Sequence, residues 1–337
     1  MILSANLAVR RRVAHLSRMT RGVALCRSVS AMDAIMMAAG LVLLLGGGQG
    51  LVRGAVAFAT RIRLPMAVVG AVVLGFGTSM PELLTSLSAA WSGAPGIAVG
   101  NVVGSNIANI LLILGVAALI AVVPGDTAAT EDRLWLLAAT TLSFGLLVLG
   151  ATLGRVEGLV LLAGLCLYIW RSLSRDSATE PVPVIEGMPA WRIAAFLLLG
   201  LGALLAGAQL LVTGATGIAR GLGVSETVIG LTVVAVGTSL PELATSVTAA
   251  RRGEAGLALG NILGSNVFNI FAILGLTALI VPIPVPEGLT SVDLALFAAS
   301  ALALIGFLFV GRIGRGGGLV LLAGYAGYVA WLAVNSA

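Results

Sequence analysis

The decapeptide GTSMPELLTS at residues 77–86 returns 160 residues later as GTSLPELATS at 237–246, and GNVVGSNIANILLILG at 100–115 returns at the same interval as GNILGSNVFNIFAILG at 260–275. A repeat at one fixed spacing makes the chain two copies of one structural unit. Between 70–115 and 230–275, 25 of 46 ungapped positions are identical. The register also holds outside that core, where Gln49 matches Gln209 and GLVLLAG occurs at both 158 and 318. The fold must therefore be built twice, in halves of about 33–172 and 191–337 joined by a polar, proline-bearing linker at 173–190.

The medium of that fold follows from composition. With 59% hydrophobic residues, 10% charged residues and 45 glycines in 337, the chain reads as an all-α polytopic membrane protein. Apolar runs long enough to cross a bilayer as helix lie near 33–58, 65–91, 95–123, 133–152, 156–172, 191–219, 224–250, 254–281, 291–311 and 314–334. These make ten transmembrane helices, five in each half. A β-barrel is disfavoured by pattern, because barrel strands alternate polarity whereas these runs are apolar all round and glycine-spotted like packed helices. Cys26 and Cys166 supply neither a disulfide framework nor a metal cluster.

An odd number of spans per half forces the second half to enter the membrane from the opposite side, so the two five-helix units are expected to be inverted repeats. The arginines test this independently, since cytoplasmic loops carry the positive excess. With the first span starting outside, inner loops hold Arg53, Arg61, Arg63, Arg133, Arg171, Arg175, Arg192, Arg251, Arg252, Arg312 and Arg315, against Arg155 and Arg220 outside. Both termini are then external. Residues 1–31 carry six arginines and no acid, which conflicts with this topology. They are read either as a basic membrane-surface arm or targeting segment or, preferred here, as an over-extended start with Met32 as the true first residue. His15, the single histidine, falls there and is given no role.

Of 14 acidic residues, Glu82 and Glu242 alone fall in the middle of spans. A carboxylate at that depth is costly and marks function by default. No arginine lies near enough in sequence to pair with either, so the positive partner is expected from solution. Pro81 and Pro241 lack an N–H and clash with the preceding turn, which predicts helix breaks near 75–81 and 235–241. Broken helices expose backbone carbonyls and helix ends, the means by which membrane transporters hold ions at the midplane. The neighbouring side chains are oxygen donors: Thr78, Ser79, Ser105 and Asn109, with Thr238, Ser239, Ser265 and Asn269 as their repeats. Oxygen ligands with carboxylates suit hard cations such as calcium or sodium. Ser105 and Asn109 are four residues apart and share a helix face, as do Ser265 and Asn269. Each hydroxyl or amide taken alone is equally well read as an ordinary interhelical hydrogen bond. Gly100, Gly104, Gly260 and Gly264 are read as packing glycines, and the Gln49–Gln209 pair as a hint of buried polar contact.

The duplicated GTS-x-PEL and GN-x-x-GSN motifs resemble the two alpha-repeats of the calcium/cation antiporter superfamily, and more narrowly of bacterial sodium/calcium exchanger-type proteins. The resemblance spans about 33–337. It implies a ten-helix inverted-repeat exchanger working by alternating access. It further implies calcium ligands in the carboxylates of Glu82 and Glu242 and the carbonyls of Thr78 and Thr238. Sodium sites would draw on Ser79, Ser105, Ser239 and Ser265 and on the carbonyls of Gly75 and Ala235, with Asn109 and Asn269 completing the polar layer. Many family members carry Asp where this chain has Asn269, so one negative charge is missing.

The expectation is a secondary active antiporter, not an enzyme, exchanging calcium for sodium across a prokaryotic cytoplasmic membrane. A proton/calcium antiporter is the runner-up, and a channel with the two glutamates as a selectivity ring is a third reading. An intramembrane hydrolase is disfavoured, because no lysine, membrane histidine or second acid near a serine supplies a base. The expected partners are calcium, sodium or proton ions and the lipid bilayer, with no cofactor, no nucleic acid and a monomeric chain.

Overall fold

The computed structural model describes residues 31–93, 95–125, 130–150, 152–174, 188–222, 235–285 and 289–335. The basic arm, most of the central linker and the first part of the seventh expected span, 224–234, lie outside the described residues. What is described is a helical membrane protein. Eight of its helices are long and apolar enough to cross a bilayer, and a bent pair makes a ninth.

In chain order, α1 (Ala31–Ile62) is followed by the bent pair α2 (Met66–Thr78) and α3 (Met80–Trp91). Next come α4 (Pro95–Ala108, continuing through a π-helical turn at Asn109–Leu114 into Gly115–Ile120), β1 (Val123–Pro124), α5 (Thr130–Leu149), β2 (Thr152–Leu153) and α6 (Arg155–Leu173). The second half repeats the order: α7 (Ala190–Gly221), α8 (Ala235–Thr238), α9 (Leu240–Arg251), α10 (Ala255–Phe268, continuing through a π turn at Asn269–Leu274 into Gly275–Ile280), β3 (Ile283–Pro284), α11 (Ser291–Val310), β4 (Arg312–Ile313) and α12 (Arg315–Asn335).

The halves are related by an exchange of equivalent parts. The two-residue ribbon β1 pairs antiparallel with β4, Val123 opposite Ile313, while β2 pairs with β3, Leu153 opposite Ile283. Adding or subtracting the repeat interval converts one pairing into the other, which is the signature of an approximate two-fold axis. The pairing also satisfies backbone groups where α4 and α10 end, next to polar loops.

α1 and α7 are each 32 residues long. At about 1.5 Å per residue they exceed the roughly 30 Å hydrocarbon thickness, so they can span it tilted or project beyond it. α1 runs past its expected end at 58 to Ile62, where Arg61 reaches the Met188 carbonyl at 3.4 Å. The two helices pack against each other through small residues, with Gly47 against Gly200 and Leu204.

Inside, α10 is the most enclosed element: every residue from Leu257 to Phe268 is buried. It lies so close to α2 that a Cβ on Gly70 would stand 2.5 Å from the Leu257 carbonyl oxygen. A Cβ on Gly260 or Gly264 would in turn collide with the backbone of Ala67 or Ala71. Glycine is required there by close approach. The larger apolar cluster joins α4, α10, α11 and parts of α5 and α6, while a smaller one joins α1, α2, α7 and the start of α10. The polar residues between these clusters form the candidate site.

Candidate ion site

Both proline-directed breaks are present. α2 and α3 meet at 42°, with Ser79 leaving helical geometry at φ −81°, ψ 9°. Ser239 does the same between α8 and α9 at φ −88°, ψ 8°. Pro81 and Pro241 sit in the first turn of the new helix, where the missing N–H is harmless. Ser79 and Ser239 occupy the N-cap positions, yet neither side chain caps its own helix.

The two hydroxyls cross to the other repeat instead. Ser79 Oγ donates to Glu242 Oε1 at 2.9 Å, and Ser239 Oγ donates to Glu82 Oε1 at 3.2 Å. Each glutamate lies in the first turn of α3 or α9, where the positive helix end favours a carboxylate. Both are 1% exposed, and in each the second oxygen, Oε2, is buried without a hydrogen-bond partner. Two buried carboxylate oxygens left unsatisfied cost free energy, which a cation or protons would recover. The ion pair of Arg171 with Glu131 at 2.7 Å lies on the surface, its side chains 47% and 39% exposed.

The remaining expected residues converge on this pair to different degrees. Thr78, which is buried, and Thr238 end α2 and α8 directly before the two break serines. Ser265 Oγ points at the Gly75 carbonyl, 3.4 Å away. Ser105, Asn109 and Asn269 are buried on α4 and α10, with Asn109 and Asn269 opening the two π turns. Asn109 Oδ1 and both side-chain polar atoms of Asn269 have no hydrogen-bond partner. Ala235 opens α8, as Gly75 opens the last turn of α2. Among the described residues no three His, Cys, Asp or Glu side chains cluster. A cation here would be held by two carboxylates with neutral oxygens, a hard-ion environment. Gln49 and Gln209 do not meet in a buried contact: both are exposed, and Gln209 bonds Thr213 on its own helix at 3.4 Å.

Sequence reasoning missed a second polar layer that positions the glutamates. Asn101 Nδ2 donates to the Glu82 carbonyl at 3.0 Å and to Ser86 Oγ at 2.9 Å. Asn261 Nδ2 repeats this with the Glu242 carbonyl at 3.4 Å and Ser246 Oγ at 2.9 Å. Each asparagine therefore holds the glutamate-bearing helix to the next one. Asn261 also spans the repeats, its Oδ1 lying 3.4 Å from the Thr78 hydroxyl, which donates to Leu74 O at 2.9 Å. The available signal was the recurrence of GN and TS at the same interval as the glutamates.

Two broken helices with crossed serine–glutamate pairs at the junction of two repeats are the arrangement of a secondary transporter. The sodium/calcium exchanger protein family matches residues 32–174 and 192–334. The chain is 38% identical over 311 residues to the putative antiporter CaxA of Alkalimonas amylolytica, covering 87% of this chain and 96% of that protein. It is 32% identical over 334 residues to the sodium/calcium exchanger MaX1 of Methanosarcina acetivorans, covering 86% and 95%. Its fold superimposes on the sodium-calcium exchanger NCX_Mj, soaked with Na+ and Sr2+, with a TM-score of 0.78 and 34% identity, covering 89% and 98%. The chain belongs to the sodium/calcium exchanger family and is a membrane cation antiporter.

Proposed function

We propose that this antiporter exchanges calcium for sodium across the prokaryotic cytoplasmic membrane by alternating access, as ten helices in two inverted five-helix repeats with both termini external. The observation that carries the reading is the crossed pair. Glu82 and Glu242 each take one serine hydroxyl from the opposite repeat and keep one buried oxygen unbonded. Two such oxygens, backed by the carbonyls of Thr78 and Thr238, suit one calcium ion, and the serines and the Gly75 and Ala235 carbonyls suit sodium. MaX1 and NCX_Mj, both named as sodium/calcium exchangers, support the same ions. The chemistry is displacement of one ion by another, with no covalent step and no cofactor.

The test is radiolabelled calcium uptake into proteoliposomes loaded in turn with sodium, potassium or low-pH buffer. Uptake driven by sodium alone is expected. Uptake driven by internal protons alone would replace this reading with proton/calcium exchange, which two carboxylates and the neutral Asn269 also suit. Flux that persists without any counter-ion would make the protein a channel.

Stoichiometry follows from charge. With asparagine at both 109 and 269, the site holds two negative charges, neutralised by one calcium or two sodium ions. A third sodium leaves one excess positive charge, which the serine oxygens and helix-end carbonyls can stabilise. We favour three-for-one exchange, for which one net charge moves per cycle at about 2.3 kcal/mol per 100 mV. Calcium accumulation at a fixed sodium gradient should then shift with imposed potential; no shift would establish two-for-one exchange.

A further inference from the structure

Apart from the ion site, the outer face of the α1–α7 pair carries an apolar groove of about 410 Å³. Its floor is made by glycines, Gly46, Gly47 and Gly50 of α1 and Gly200 of α7, and its wall by Phe196 and Leu199. Gly46 and Leu199 are exposed, so in a membrane the groove opens to lipid. A Cβ placed on Gly46 meets no atom within 4 Å, so that glycine leaves room that the protein does not fill.

The groove has direction. It extends along α7 from Trp191 and Arg192 to Ala203, twelve residues or about 18 Å at the helical rise. One leaflet of hydrocarbon is about 15 Å, half of the roughly 30 Å core. At the helix-end mouth, Arg192 lies over Trp191, 5.2 Å from the ring centroid, and Arg53 lies over Phe196 at 5.0 Å. Neither arginine makes an ion pair among the described residues. An apolar slot one leaflet deep, ending in a tryptophan at the interface and two exposed arginines, matches a molecule with a long chain and an anionic head.

We propose that this groove binds an anionic phospholipid of the leaflet on the Arg192 side, one acyl chain lying along the α1 glycines and the phosphate held by Arg192 and Arg53. Zwitterionic lipid would fill the same slot but lack the net charge for the arginines. The lipid lies along both helices and fills their outer crevice, so its occupancy should stiffen the pair.

Native mass spectrometry of the full chain in detergent, titrated with phosphatidylglycerol or phosphatidylcholine, tests this. Phosphatidylglycerol should bind about tenfold more tightly. R53A/R192A should erase that preference while leaving phosphatidylcholine binding unchanged. Gly46→Phe, whose ring would occupy the slot, should weaken both lipids, with Gly46→Ala as the control that keeps the slot open. Thermal unfolding should show phosphatidylglycerol raising the melting temperature of wild type and not of R53A/R192A, a readout valid even for a less stable variant. Equal affinity for the two lipids, or a preference that survives R53A/R192A, overturns the proposal. So does a chain dimer that dissociates in Gly46→Phe, which would make a second copy the occupant.

Discussion

The GN-x-x-GS segments of α4 and α10 are almost the same sequence in two different environments. In α10, Gly260 and Gly264 lie under the backbone of Ala67 and Ala71, and Asn261 is fully buried against Thr78. In α4, a Cβ on Gly100 or Gly104 meets no atom within 4 Å among the described residues; Gly100 is exposed and Asn101 half-buried. Equal motifs thus differ in exposure, Gly260 and Asn261 being buried where Gly100 is exposed and Asn101 half-buried. The segment of the second half equivalent to 67–71, against which α4 would pack by the repeat, is 227–231 and lies outside the described residues.

The comparison can be broken most severely at the glutamates, which the crossed serines make equivalent. Glu82→Gln and Glu242→Gln should each abolish calcium transport while leaving the protein folded, since the amide keeps the shape and removes half of the site's charge. Near wild-type flux in either variant would end the ion-site reading.

The glycines sharpen it next. Gly264→Ala puts a methyl into the Ala71 backbone and should destabilise the described state by about 1–3 kcal/mol, seen as a lower melting temperature. An unchanged melting temperature in Gly264→Ala would show that α10 and α2 can separate without loss.

Loss of a hydroxyl bonded to a carboxylate is worth about 1.5–3 kcal/mol. Ser79→Ala and Ser239→Ala should therefore weaken calcium activation of transport at least tenfold, with the shorter 2.9 Å bond of Ser79 giving the larger effect. Equal affinities for both variants and wild type would place the serines outside the site.

The smallest difference is expected between the asparagines. Asn261→Ala removes the buried donor to Ser246 Oγ and the Glu242 carbonyl and should cost about 1–3 kcal/mol, against about 1 kcal/mol for Asn101→Ala, whose site is half-buried. Chemical denaturation of the two variants measures the gap; identical losses would mean that both ends are equally enclosed.

Much of this was legible along the chain because some residues have one physical outcome wherever they stand. Proline at 81 and 241 cannot continue the preceding turn, so the breaks were placed correctly within a few residues. A glutamate within an apolar run must find a compensating charge, so Glu82 and Glu242 could be singled out before any contact was known. Asn101 and Asn261 could not, because an amide has four hydrogen-bonding positions and its partners depend on which helix arrives beside it. Gln49 and Gln209 illustrate the converse, a matched pair that recurs in register and yet stays on the exposed face.

By itself the sequence determined the duplication, the membrane class, the helix breaks and the two acids, since these rest on local sterics, apolar length and the cost of buried charge. Tertiary structure alone decided that Ser79 serves Glu242 and Ser239 serves Glu82, that the π turns begin at Asn109 and Asn269, and that the α10 glycines pack against the α2 backbone. Those are relations between elements far apart in the chain. They are set by backbone-to-backbone fit at glycines and by which hydroxyl of the other repeat arrives beside each acid, and neither can be read from the order of residues within one half.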